Sequence, residues 1–120
     1  MKSFGNLAGT FMKKDSPQIE FRFSRGELTE FNVINKPDSY EFRYAPEEKA
    51  FLLMMSDRLV PDTRIGIQKD LEKVGIPYYD PQLILEYTHG FSITDDYWIK
   101  LSGEDITWDE LLKQKKFAGH

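Results

Sequence analysis

The sequence predicts an α+β fold: a small antiparallel β-meander of three to four strands packed against three or four short helices. Three observations predict it. Residues 18–24 alternate apolar and polar, with Ile19, Phe21 and Phe23 on one side and Glu20, Arg22 and Ser24 on the other, the period of a half-buried strand. Further on the period lengthens: Phe51, Met54, Met55 and Leu59 fall on one helical stripe. Thr107-Trp108-Asp109-Glu110 has the Thr-x-x-Glu spacing of a helix capping box.

At 120 residues the chain builds one domain, 1–120, mainly β over 1–45 and mainly α over 46–120. The start is the least patterned part. Thr10, Phe11 and Met12 fit a short first strand, with loops around it at Gly5, Gly9 and Lys13–Pro17. Arg25-Gly26 turns the second strand into a return strand over 27–34. Asn35–Ser39 is a turn cluster, and Tyr40, Phe42 and Tyr44 alternate with Glu41 and Arg43 as a third strand of the meander. Pro46-Glu47-Glu48 then opens a helix that Pro61 ends. Asp62 caps a second helix to about Val74, stopped at Gly75. Asp80-Pro81 opens a third, closed by His89-Gly90. Tyr97-Trp98-Ile99 has strong β propensity, and a last helix follows Thr107.

Composition removes several function classes. The net charge is −4, so the chain has no overall basic field for nucleic acid. With no cysteine, disulfides, thiolate zinc sites and thiol nucleophiles are out, which fits a reducing cytoplasm. The N-terminus has no long apolar run of the signal-peptide or membrane kind. No phosphate-binding glycine loop and no kinase catalytic motif occurs.

His89, Ser92 and Asp95 are the one nearby trio of nucleophile, base and acid types. They share one short segment without a Gly-x-Ser-x-Gly elbow, so a helix stop and a cap explain them better than a triad does. In that account Ser92 and Asp95 are capping groups, each worth about 1 kcal/mol. Asp95, Asp96, Glu104 and Asp105 lack the spacing of a calcium loop and read as a solvated acidic face. No metal and no cofactor is expected. The helices at 62–74 and 80–88 have helix-turn-helix length, but the second offers Gln82, Glu86 and Thr88 and no base-reading Arg or Lys. A packed helical hairpin fits better. Trp98 and Trp108 read first as core anchors and second as interface anchors with an acidic rim.

One resemblance is specific enough to name. Ser56-Asp57-Arg58-Leu59-Val60-Pro61-Asp62-Thr63-Arg64, then Gly90–Lys100 reading GFSITDDYWIK, then Leu101–Glu110 reading LSGEDITWDE, resemble the N-terminal, pre-kinase region of HipA-like kinase-domain proteins of Firmicutes and their phages. The pattern covers roughly the last half of the chain. Leu101 stands where the family has proline, and Leu111-Leu112 stand where the family continues toward the kinase body. The family's phosphotransfer residues lie beyond the counterpart of His120, so the resemblance implies a stand-alone lead-in domain, not an enzyme. It implies a protein-binding module of a bacterial cytoplasm, encoded by a phage or other mobile element. One form is a stoichiometric inhibitor that blocks a nuclease effector complex in the anti-CRISPR manner. The alternative is an antitoxin-like subunit restraining a separately encoded HipA-like kinase. The candidate partner-binding residues are Asp96, Glu104, Asp105, Asp109, Trp98 and Tyr97; in the capping account the acids among them are left free for a partner.

Overall fold

The computed structural model describes residues 4–37, 43–59, 62–92 and 95–114. Eight elements follow in chain order: β1 (Leu7–Lys13), β2 (Ser16–Ser24), β3 (Glu27–Val33), α1 (Glu48–Asp57), α2 (Ile67–Lys73), α3 (Pro81–Thr88), β4 (Tyr97–Leu101) and α4 (Trp108–Gln114). The fold is α+β. Its strands form one antiparallel sheet in the order β3-β2-β1-β4. The meander supplies three strands, and the fourth returns from the helical half to lie against β1.

Local chemistry explains most element ends. Arg25 and Gly26 both take positive φ, 53° and 81°, as a two-residue turn matched to strand twist requires. Asp80 accepts from the N–H groups of Gln82 and Leu83 at the start of α3, with Pro81 in the first helical position. Thr107 and Glu110 close the capping box at α4: Glu110 N–H donates to Thr107 Oγ1, and Thr107 N–H donates to Glu110 Oε1.

Three expectations change. The first strand is longer than its apolar core suggests, because Gly9 is an interior strand residue and not a loop residue. A Cβ there would sit 2.6 Å from the Lys100 carbonyl oxygen, so glycine permits the close approach of β4 to β1. The second helix starts at Ile67, not at Asp62. Gly66, at φ 79°, stands in its N-cap position, and the left-handed residue keeps 62–66 in turns. Of the expected third strand, Tyr40, Glu41 and Phe42 lie outside the described residues, while Arg43 and Tyr44 belong to a turn. Pro61, Lys115, Lys116 and His120 also lie outside them.

The inner sheet face carries the main core. Phe11, Ile19, Phe21, Phe23 and Ile99 pack with Phe51 and Met55 of α1 and Leu85 of α3. Phe51 meets the rings of Phe11, Phe21 and Phe31, and Phe11 stacks on Tyr97 at 5.0 Å. A smaller cluster, Leu71, Ile76 and Ile84, binds α2 to α3. By alternation Met12 and Trp98 point to the outer face, where Leu111 of α4 covers them. The rest of the outer face has no helix over it among the described residues.

Candidate functional site

Two buried polar nodes, built on Arg58 and on His89, converge on β4. Arg58 follows α1 directly and continues its buried stripe of Phe51, Met54 and Met55. Its side chain is 4% exposed and pairs with Asp95 at 2.7 Å. The pairing is bidentate, Nη1 to Oδ2 and Nη2 to Oδ1. Nε also donates to the Gly90 carbonyl and Nη2 to the Tyr97 carbonyl. The planar guanidinium thus ties α1 to the loop after α3 and to the first residue of β4, a task its fixed fork of donors suits. Asp95 accepts in addition from the Tyr97 N–H. This overturns the capping account of Asp95: no helix follows it, and its main partner lies 37 residues back. Ser92 is buried, and Ile93 and Thr94 lie outside the described residues.

His89 forms the second node. It ends α3 in the left-handed region, φ 57°, and its ring is buried against Trp98 at 6.3 Å between centroids. Nε2 lies 3.0 and 2.9 Å from the two Glu104 carboxylate oxygens. Glu104 Oε1 also accepts from the Leu101 N–H. His89, Ser92 and Asp95 do not converge: the imidazole engages Glu104 and the Asp95 carboxylate engages Arg58. Nδ1 of His89 is buried without a hydrogen-bond partner among the described residues.

The candidate partner residues divide accordingly. Trp98 is fully buried and Tyr97 nearly so. The Trp98 indole N–H donates to the Lys14 carbonyl at 2.6 Å, so both aromatics are interior in this structure. Glu104 is engaged by His89 and Leu101, contrary to its reading as a free acid. Asp105 and Asp109 are exposed, Asp96 is half-buried, and Trp108 is half-buried against Phe91. Arg58 was missed in the sequence because its partner is remote. The available signal was its place at the seventh residue after Phe51, on the apolar stripe.

The part of the outer face with no helix over it among the described residues holds an open groove of about 260 Å³, and the hollow it runs into measures about 370 Å³. Small β1 residues, Ala8, Gly9 and Thr10, form its floor, and Glu20, Arg22, Glu30 and Asn32 form one wall. That wall is cross-linked: Arg22 pairs with Glu30 at 2.7 Å, and Asn32 donates to Glu20. Through Thr10 and Ser102 the groove continues into a second hollow that reaches Asp15, Lys100 and Glu104. Asp15 accepts from the Trp108 N–H, which places the first turn of α4 at this end.

Among the described residues no group of three or more His, Asp or Glu is arranged to hold a metal ion. Every residue of α3 is buried or half-buried, which leaves no exposed recognition face of the helix-turn-helix kind. Burial raises the Tyr79 phenol above its ordinary pKa, and the Asp62 carboxylate adds to the rise. None of the described helices is long and apolar enough to cross a membrane. No protein-family model matches the chain, and neither a curated protein nor a solved structure matches it.

Proposed function

We propose that this protein is a non-catalytic protein-binding module that acts by stoichiometric docking through its outer sheet face. One observation carries the reading: among the described residues a broad, polar part of the outer sheet face has no helix over it, and the charged side chains of its β2–β3 wall are already paired to one another. A shallow polar surface with fixed side chains suits a protein partner better than a small ligand. Exposed Asp105 and Asp109, beside the Asp15 end of the groove, give that surface an acidic margin.

The acidic margin favours a partner with a basic channel, and inhibition of an RNA-guided nuclease complex is the concrete form. A second reading, restraint of a HipA-like kinase, draws on the resemblance. The residues that carry the resemblance include Arg58, Asp95, Tyr97, Trp98 and Ile99. Here these residues hold a strand in place, so what they support is a shared scaffold more than a shared activity.

Calorimetry against a purified nuclease–guide complex and against a HipA-like kinase lacking its own lead-in domain tests both forms. The expected result is a one-to-one complex with one of them. Binding should weaken about tenfold or more in the Asp105→Lys/Asp109→Lys variant, and stay unchanged in Asp57→Lys on the far side of the fold. Absence of a complex with either partner at about 10 µM would remove both forms.

A further inference from the structure

The two edges of the sheet are protected in different ways. Strand β3 carries its own charges, Glu27 and Glu30, and an irregular register between Arg22 and Phe23, both common devices against edge pairing. Strand β4 has a regular register against β1 and one charge, Lys100. Its sequence, Tyr97-Trp98-Ile99-Lys100-Leu101, combines high β propensity, aromatic and branched side chains and a single charge. Left open, such an edge templates pairing with another strand.

It is not left open. Trp98 and Lys100 lie opposite Met12 and Thr10 of β1. The main-chain groups of Tyr97, Ile99 and Leu101 turn away from β1. Each of these residues has an outward group engaged from within the chain. Tyr97 N–H donates to Asp95 Oδ1, and Tyr97 C=O accepts from Arg58 Nη2. Ile99 N–H donates to the His89 carbonyl, Leu101 N–H donates to Glu104 Oε1, and Leu101 C=O accepts from the Glu104 N–H. Two side-chain pairs, Arg58–Asp95 and His89–Glu104, therefore flank the two ends of the edge, with the His89 carbonyl between them on Ile99.

We propose that these two pairs form a guard on the outer edge of β4 that keeps a second copy of this chain from pairing with it strand to strand. The Arg58–Asp95 half is fixed, with side chains 4% and 10% exposed. The Glu104 half is the removable one. Its side chain is 31% exposed, and it stands directly after Gly103, which holds φ 87° in the turn that follows β4.

Sedimentation and amide hydrogen exchange on Glu104→Ala, Glu104→Lys and Glu104→Gln test this. In the Ala and Lys variants the Leu101 amide should exchange at least about tenfold faster than in the parent, while the β1-paired Lys100 amide is unchanged. Only the Ala variant should show new, concentration-dependent self-association, since a lysine at an edge itself opposes pairing. The Gln variant keeps an acceptor for Leu101 and should match the parent in both measurements. Should Glu104→Ala fail to fold, the Lys and Gln variants carry the test, the one exposing the edge without association and the other leaving it closed. A Glu104→Ala chain that frees the Leu101 amide yet associates no more than the parent overturns the proposal. Equal association of the Ala and Lys variants also overturns it, because general destabilisation would then explain both, and so does an associating Gln variant.

Discussion

Replacing Asp95 by alanine separates the two accounts of the 90–100 segment. As a cap, Asp95 would be worth about 1 kcal/mol. As the partner of a guanidinium 4% exposed, its loss removes a bidentate carboxylate from a buried cation and the Asp95 acceptor from the Tyr97 N–H. Breaking a buried pair on one side costs about 3–5 kcal/mol. In a domain of this size, roughly 4 °C of melting temperature accompanies each kcal/mol, so Asp95→Ala should melt roughly 12–20 °C below the parent. Arg58→Lys should also lose stability, since one ammonium cannot reach Asp95, the Gly90 carbonyl and the Tyr97 carbonyl together. The double variant Arg58→Met/Asp95→Leu, with no unpaired charge, should be more stable than Asp95→Ala. Urea unfolding followed by circular dichroism measures all three. If Asp95→Ala costs only about 1 kcal/mol, or the double variant is no more stable than Asp95→Ala, the buried-pair reasoning fails.

Other substitutions test separate contacts. Gly9→Ala puts a methyl group 2.6 Å from the Lys100 carbonyl oxygen and should cost about 1–3 kcal/mol in chemical unfolding, as overpacked positions do. Trp98→Phe removes the indole donor to the Lys14 carbonyl and should cost at least about 1 kcal/mol. Its remaining Trp108 fluorescence should be quenched by acrylamide more readily than that of Trp108→Phe, in which buried Trp98 is the emitter. Thr107→Ala should cost about 1 kcal/mol and leave the sheet amides protected. Tyr79 is the pH case. Its phenol titrates above the ordinary value when folded, so the folded chain retains a proton that the unfolded chain has released. The associated stability is present below pH 10 and is lost as pH rises through the folded value. Unfolding above pH 10 should therefore be less steeply pH-dependent in Tyr79→Phe, and phenolate absorbance should lose its contribution from Tyr79.

Legibility in the sequence tracked the range of the interaction. Turns and caps are decided within three or four residues, so the Arg25-Gly26 hairpin, the Asp80 cap and the Thr107–Glu110 box were all readable. Residues whose role is set by remote contacts were not. Gly9 looked like a loop residue because nothing nearby in sequence shows that Lys100 passes over it. Asp95 looked like a local cap because Arg58 lies on another element. Glu104 looked free because its partners, a histidine at a helix end and a strand amide, come together only after β4 has docked. Asp62 is the reverse case: a good cap residue was overridden by Gly66, whose left-handed backbone resets where the helix can begin.

The same division locates function. Within the most patterned stretch of the chain, 90–104, Asp95 and Glu104 are committed to Arg58 and His89. A residue that satisfies two elements at once cannot also meet a partner without releasing one of them. For Arg58 and Asp95, release would uncover a buried charge. Residues with spare capacity are plain in sequence: Thr10, Lys100 and Ser102 around the outer groove, with Asp105 and Asp109 at its end. They carry no motif because a docking face is defined by neighbours across strands, here β2, β1 and β4, and not by neighbours along the chain. Substitutions on that face should change binding with little change in melting temperature, and substitutions in the β4 node should do the opposite. A scan in which both properties fall together at Lys100 or Asp105 would mean that scaffold and docking surface are one structure.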